Sequence, residues 1–223
     1  MGRADPSIGR RTRKRRATLG AAAGAGRALP RRFYERPAPR VARELLGAIL
    51  VSRLGGRLTA GRIVETEAYL GPEDGASHAA FRPASRWLFY GPGGIAYVFW
   101  AYGLHHCLNA IAGSRGTPGC VLIRAIEPLA GLGTMARRRG VRGSSRSGNV
   151  STALASGPAR LTQALGVTVR DTGRDLRRGV LTIHRPISPG GRRVVATGPR
   201  IGIKRSPELP LRFWLRGHPS VSR

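Results

Sequence analysis

The sequence predicts an α+β fold: a single compact domain on a mixed, largely antiparallel β-sheet, with flanking helices and a protruding β-hairpin. Three observations carry that expectation. Strand-like and helix-like segments are interspersed along the chain. They do not follow the regular βαβ alternation that builds a parallel sheet. Residues 94–111 (GIAYVFWAYGLHHCLNAI) read as two apolar strands around a short turn. At 223 residues the chain can bury one substantial core.

The elements follow in order. Residues 1–31 join a basic run to an Ala/Gly stretch with little to bury, so a disordered basic tail is expected there, with residues 32–223 forming the domain. A DNA-tethering arm, a targeting sequence and an overlong gene start are alternative origins for that tail. In PAPRVARELLGAILV, Val41, Ala42, Leu45, Leu46 and Ile49 recur at helical spacing behind prolines suited to a helix start. A strand, a Gly55-Gly56 turn and a second strand ending in RIVETEAY predict a hairpin. After the 94–111 hairpin, CVLIRAIE reads as a strand and PLAGLGTMARRR as a helix begun by Pro128. Residues 137–151 look like a flexible basic loop, and SGPARLTQAL like a short helix with Ser156 as N-cap. VLTIHR, RVVATGPRIGI and LRFWLRG complete the chain as short strands.

Composition narrows the function. Against 39 Lys plus Arg stand only 11 Asp plus Glu, a formal charge of +28 and a pI near 12.0. Such a surface attracts phosphate-rich partners. The basic residues are nearly all Arg (Lys14 and Lys204 are the only lysines), which compositional bias also produces. Cys107 and Cys120 lie in apolar strand-like runs, so free thiols in a reducing cytoplasm are expected. No apolar run is long enough to cross a membrane.

Within this polycation, Glu65, Glu67, Glu73 and Asp74 cluster in VETEAYLGPEDGASHA. Strand alternation puts Ile63, Glu65, Glu67 and Tyr69 on one face and Val64, Thr66 and Ala68 on the other. A carboxylate beside a ring, with His78 in the following loop, suits a pocket that holds a flat ring and activates water beside it. Ordinary ion pairs with arginine are the competing reading of both glutamates. In the hairpin, Ile95, Tyr97 and Phe99 share a face, and Ala96, Val98 and Trp100 the other. Tyr102 falls at the tip, where an aromatic is better placed as a wedge between base pairs than as core. Asn109 reads as a buried amide that needs partners. His105, His106 and Cys107 are adjacent on a strand and lack the usual ligand spacings, so no metal is expected.

These residues also carry a resemblance. RIVETEAYLGPEDGASHA, YVFWAYGLHHCLN, CVLIRAIEP, SGPARLTQALG and LRFWLRG, in that order, resemble the alkyladenine (3-methyladenine, or methylpurine) DNA glycosylases from about Phe33 to the C-terminus. The resemblance implies hydrolysis of the N-glycosidic bond of a damaged purine flipped from duplex DNA, by a monomer with no cofactor. It implies Glu67 as the general base, with Arg124 beside the sugar-phosphate and the water. Tyr69, His78 and Phe99 would wall the flipped base, Asn109 would crowd a purine 2-amino group, and Tyr102 would fill the gap in the duplex. Phe99 stands where relatives carry Tyr, so stacking survives without the hydroxyl. The SGP helix start, Ser156 and Gly157 with Arg160, is a candidate phosphate site, with a plain N-cap as the alternative. No activated amine is apparent, so cleavage of the base without strand scission is expected. Double-stranded DNA with damaged purines is the expected partner and the cytoplasm, or nucleoid, the expected location. A non-catalytic nucleic-acid-binding module on the same scaffold is the alternative.

Overall fold

The computed structural model describes residues 24–141, 153–187 and 194–222. The α+β expectation holds: nine strands form one open sheet with short helices around it, and every ladder is antiparallel. The strands are β1 (Ala25–Ala28), β2 (Ile49–Ser52), β3 (Thr59–Tyr69), β4 (Ala96–Ala101), β5 (His105–Ile111), β6 (Cys120–Ala130), β7 (Leu181–Pro186), β8 (Val195–Gly198) and β9 (Arg212–Leu215). Their order is β1-β7-β2-β3-β6-β5-β4. β9, which carries β8, takes over the free flank of β3 at Glu65–Glu67, where β2 has ended.

Helices α1 (Arg31–Tyr34), α2 (Ala38–Leu45), α3 (His78–Phe81), α4 (Arg86–Phe89), α5 (Leu132–Arg138) and α6 (Pro158–Leu165) join the strands. The apolar stripe of α2, Val41, Ala42 and Leu45, is fully buried and shares one core cluster with Leu161, Ala164 and Leu165 of α6 and with Val64, Ala68 and Ile123 of the sheet. A second, aromatic cluster forms around Phe89, Tyr97, Ile111 and Cys120, with Tyr69 and Phe99 partly buried against it. The site grows from this second cluster.

Several local expectations change. Residues 24–31, assigned to the tail, are ordered: β1 pairs with β7, and Leu29 is in the core. The rest of that tail, residues 1–23, lies outside the described residues. The helix over VARELLGAI stops at Leu45, and Ile49, expected to share its stripe, opens β2. Pro128 does not start a helix. It sits inside β6 opposite Gly61, beside a register shift, where a proline is tolerated because the ladder is already interrupted. Ser156 is not the cap of α6; that position is Gly157, and the Ser156 hydroxyl donates to the Val221 carbonyl. Arg137 and Arg138, which the sequence reading puts both in the PLAGLGTMARRR helix and in the 137–151 loop, close α5, and residues 142–151 lie outside the described residues.

A further correction bears on the site. β3 and β6 slip register on either side of Glu65, so that Ile63 faces Ile126, Glu65 faces Ala125, and Thr66 faces Ile123. Val64 and Arg124 are the unpaired residues. Ile63 therefore joins Val64 in the main core cluster, rather than sharing a face with Glu65. The bulge is what lets a charged Arg124 sit inside an otherwise apolar strand.

The β3–β6 pairing leaves no room at Gly61, where a Cβ would come within 2.7 Å of the Glu127 carbonyl oxygen and of the Ile126 side chain. Gly61→Ala is expected to cost about 1–3 kcal/mol, read as a thermal midpoint lower by about 2–4 °C per kcal/mol.

Candidate active site

β3, β4, β5 and β6 present one continuous wall, and α3 with segment 200–206 closes over it. Between them lies a cleft of about 520 Å³, lined on the inside by Tyr69, His78, Tyr97, Phe99, Asn109 and Arg124. All but one of these residues are among the expected site residues; Tyr97 is the addition.

Glu67 lies just behind the lining, with no exposed surface. Its Oε2 accepts the Tyr69 hydroxyl at 2.8 Å, and its Oε1 accepts the Ile201 backbone N–H at 2.8 Å and lies 3.0 Å from Arg124 Nη1. Tyr69, Arg124 and Ile201 all line the cleft. An ionised carboxylate has about four acceptor positions, so three are filled by groups of the cleft wall. Burial, then the Glu67 charge, pushes the Tyr69 phenol far up, which keeps it a donor.

Glu65, two residues earlier, has different partners. Its Oε1 accepts from Arg124 Nε (2.9 Å), Arg212 Nε (2.7 Å) and the Ser222 hydroxyl (2.9 Å), while Oε2 accepts the Ser222 N–H at 2.8 Å. It is saturated and structural. Arg124 spans the two carboxylates. Burial alone would lower its pKa, but the charges of Glu67 and Glu65 outweigh that and hold it up. Asp74 clamps Arg200 through two hydrogen bonds, and Glu73 accepts locally from the Gly71 N–H.

The aromatic walls are set by the hairpin. β4 alternation sends Tyr97 and Phe99 to the aromatic cluster and Ala96 and Val98 to the main core, as the sequence indicates. His78, at the start of α3, has its ring centroid 4.3 Å from that of Phe99, and its Nδ1 is hydrogen-bonded to the Tyr97 hydroxyl at 2.7 Å. Burial, then the neighbouring Arg82 charge, pushes the imidazole down to about 4, so the ring is neutral near pH 7. Asn109 is satisfied: its amide donates to the Tyr97 and Cys107 carbonyls at 3.1 and 3.3 Å. Burial pushes the Cys107 thiol, which also lines the cleft, up to about 11.

Tyr102 stands at the tip of the β4–β5 hairpin, 81% exposed, with φ of 53°. Its hydroxyl donates to the Gly202 carbonyl at 2.9 Å. Gly157, Pro158 and Arg160 begin α6, and Pro158 reaches the cleft edge. Lys204, one of the chain's two lysines, is brought to the cleft lining. Chain distance hid it, as it hid Arg200 and Ile201, which lie more than 130 residues after Glu67; no local spacing signals such a contact. His106 stacks on Trp100 at 4.2 Å while Cys107 turns to the cleft. Among the described residues no group of three or more His, Cys, Asp or Glu is placed to hold a metal ion. No described helix is long and apolar enough to cross a membrane.

Residues 32–219 match the methylpurine-DNA glycosylase family. The chain belongs to that family. It is 43% identical over 204 residues to the human DNA-3-methyladenine glycosylase, covering 85% of this chain and 66% of that protein. The mouse DNA-3-methyladenine glycosylase is also 43% identical, over 85% of this chain and 60% of its own length. A Methanoculleus marisnigri relative, whose name likewise carries 3-methyladenine DNA glycosylase, is 43% identical over 87% of this chain and 98% of its own length. Of the paired glutamates, Glu65 ties β3 to Arg212 and Ser222, and Glu67 is held by groups of the cleft wall.

Two outcomes test this division. Glu65→Gln leaves Arg124 and Arg212 short of a buried anion and is expected to destabilise the fold by roughly 3–5 kcal/mol, measured by urea unfolding. His78 has a folded pKa of about 4 against 6.5 for the free side chain. Between those values the unfolded chain carries the proton and the folded chain does not, so stability falls as pH drops through that window. Thermal melts across that pH range should show a smaller acid-induced loss for His78→Phe than for the parent.

Proposed function

We propose that the protein is a base-excision repair glycosylase that hydrolyses the N-glycosidic bond of an alkylated purine flipped out of duplex DNA, leaving an abasic site. The observation that carries this reading is the Glu67 carboxylate. It is held by three donors, all from residues of an aromatic-walled cleft sized for a flat ring.

The base must leave the stack before its C1′ atom can be reached, at a cost of a few kcal/mol, least where damage has weakened pairing. His78 and Phe99 touch one another and so act as one wall, leaving Tyr69 for the other face of the base. Stacking of this kind contributes about 1–3 kcal/mol per base, and a cationic methylated purine adds a cation–π component. Phe99 serves as a stacking surface without its hydroxyl, because the His78 bond goes to Tyr97 instead. Asn109 has its amide hydrogens engaged by two carbonyls, so it cannot swing aside, which supports its crowding of a 2-amino group.

Glu67 then orients a water through its remaining acceptor position and takes the proton as the bond to the sugar breaks. Its charge also stabilises the oxocarbenium-like sugar, while Arg124 keeps the carboxylate aligned. Tyr102 enters the duplex as the wedge, and Gly157 and Arg160, with Ser156 beside them, meet the phosphates. The chain's excess of arginine supplies sequence-independent attraction that weakens with salt. The enzyme works as a monomer.

The decisive experiment incubates methylated duplex DNA with the protein, measures free purine, and then adds alkali to reveal abasic sites. Glu67→Gln should retain DNA binding and lose base release by roughly 10²–10⁴-fold. Release by that variant at the parent rate would sink the assignment, and a protein that binds without releasing purine is a binding module. Strand breaks before alkali, with a protein–DNA adduct that borohydride traps by reducing an imine and that Lys204→Ala abolishes, would instead indicate lyase chemistry at the lysine on the cleft lining.

A further inference from the structure

Segment 200–206 crosses the cleft, and consecutive residues in it hold parts of the site that are far apart in the chain. Arg200 is buried, with both terminal nitrogens on Asp74 at 2.5 and 2.8 Å. The same guanidinium donates to the Ala68 carbonyl at 3.2 Å and to the Ser206 carbonyl at 3.3 Å. It therefore ties the segment to the end of β3 and closes it on itself. Its Cζ lies 4.7 Å from the centre of the Tyr69 ring, whose hydroxyl is on Glu67. The next residue, Ile201, donates its N–H to Glu67 Oε1, and the one after, Gly202, accepts the Tyr102 hydroxyl on its carbonyl. Gly202 has φ of 74°, a left-handed conformation that side-chain-bearing residues rarely adopt.

One residue step thus separates the anchor of the carboxylate from the anchor of the hairpin tip. Neither Asp74 nor Arg200 lines the cleft. We propose that Arg200, clamped by Asp74, is a positioning residue: it sets the 200–206 strap so that the catalytic carboxylate and the wedge tyrosine keep a fixed register. This deepens, and rests on, the reading of Glu67 as base and Tyr102 as wedge. A ligand-free strap held only by stability would need no contact to either group. Here it contacts both, through backbone atoms that no side-chain substitution removes. Because the strap ties Tyr102 to Glu67, insertion of the ring into DNA is transmitted to the carboxylate through two peptide units.

The test compares single-turnover release of methylated purine with affinity for a duplex carrying a tetrahydrofuran abasic analogue. Arg200→Lys keeps the charge but loses the two-nitrogen clamp. Gly202→Ala leaves the ion pair intact; its new methyl meets only the Tyr102 hydroxyl, at 3.5 Å, so the change acts on the strap's backbone and spares the core. Asp74→Asn removes the charge of the clamp and one of its two acceptor oxygens. Release is expected to fall about 10- to 100-fold in Gly202→Ala and Asp74→Asn, with Arg200→Lys intermediate and abasic-analogue affinity within about threefold of the parent. Parent-like release in Gly202→Ala overturns the proposal. So does a loss of release matched by an equal loss of affinity, which marks the strap as structural. Glu67→Gln, run alongside, separates the two readings: if it is inactive while the strap variants release normally, only the strap proposal fails. If it releases purine normally, the reading of Glu67 has failed first.

Discussion

Arg124 lies between Glu65 and Glu67, and the placement of the site depends on that contact. Burying three charges together is costly unless each is closely paired and its remaining hydrogen-bonding capacity is met. Arg212 and Ser222 complete the shell on the Glu65 side, and Tyr69 and the Ile201 N–H complete it on the Glu67 side. The arginine therefore does two things at once. It neutralises a structural glutamate that joins β3, β9 and the C-terminal residues, and it holds the neighbouring glutamate in register with the cleft. A β-bulge on each strand makes this possible, because without the slipped register Arg124 would not meet both carboxylates on one face.

The same constraint explains why a polycation keeps an acidic cluster next to a surface suited to DNA. Three of the four carboxylates are buried and paired, and Glu73 is the exposed one. Glu65 and Glu67 are wholly buried and paired, and Asp74 is buried against Arg200. Glu73 caps a local turn. Long-range repulsion of phosphate by the buried three is thus muted, and of the four it is Glu67 that Tyr69 and Ile201 of the cleft wall hold.

Inside the cleft the balance differs from that of the surface. The rings of Tyr69 and Phe99 each have a guanidinium nearby, from Arg200 and Arg82. His78 is held neutral by burial and by Arg82, so it offers a stacking face without adding positive charge. Tyr97, which shares a strand face with Phe99, fixes the orientation of His78 through its hydroxyl.

Strand alternation and residue type by themselves determined much of this. The pairing of Glu67 with Tyr69, the shared face of Tyr97 and Phe99, the exposed Tyr102 at a two-strand turn and the short apolar strands are all short-range consequences of a period of two. The misplaced features have a common cause. Pro128, Ile63 and the early end of α2 turned on bulges and on which strand a segment pairs with, and Ala25–Ala28 became a strand only because β7 offers an edge. Only the tertiary structure decided that Glu65 is sealed by the chain's last residues while Glu67 is held by Ile201. Likewise it alone brought Ile201, Gly202 and Lys204 to the cleft and Arg200 onto Asp74 behind it. Those contacts join segments far apart in the chain, and several use backbone atoms, which carry the same donor and acceptor at nearly every position and so leave no mark in the sequence.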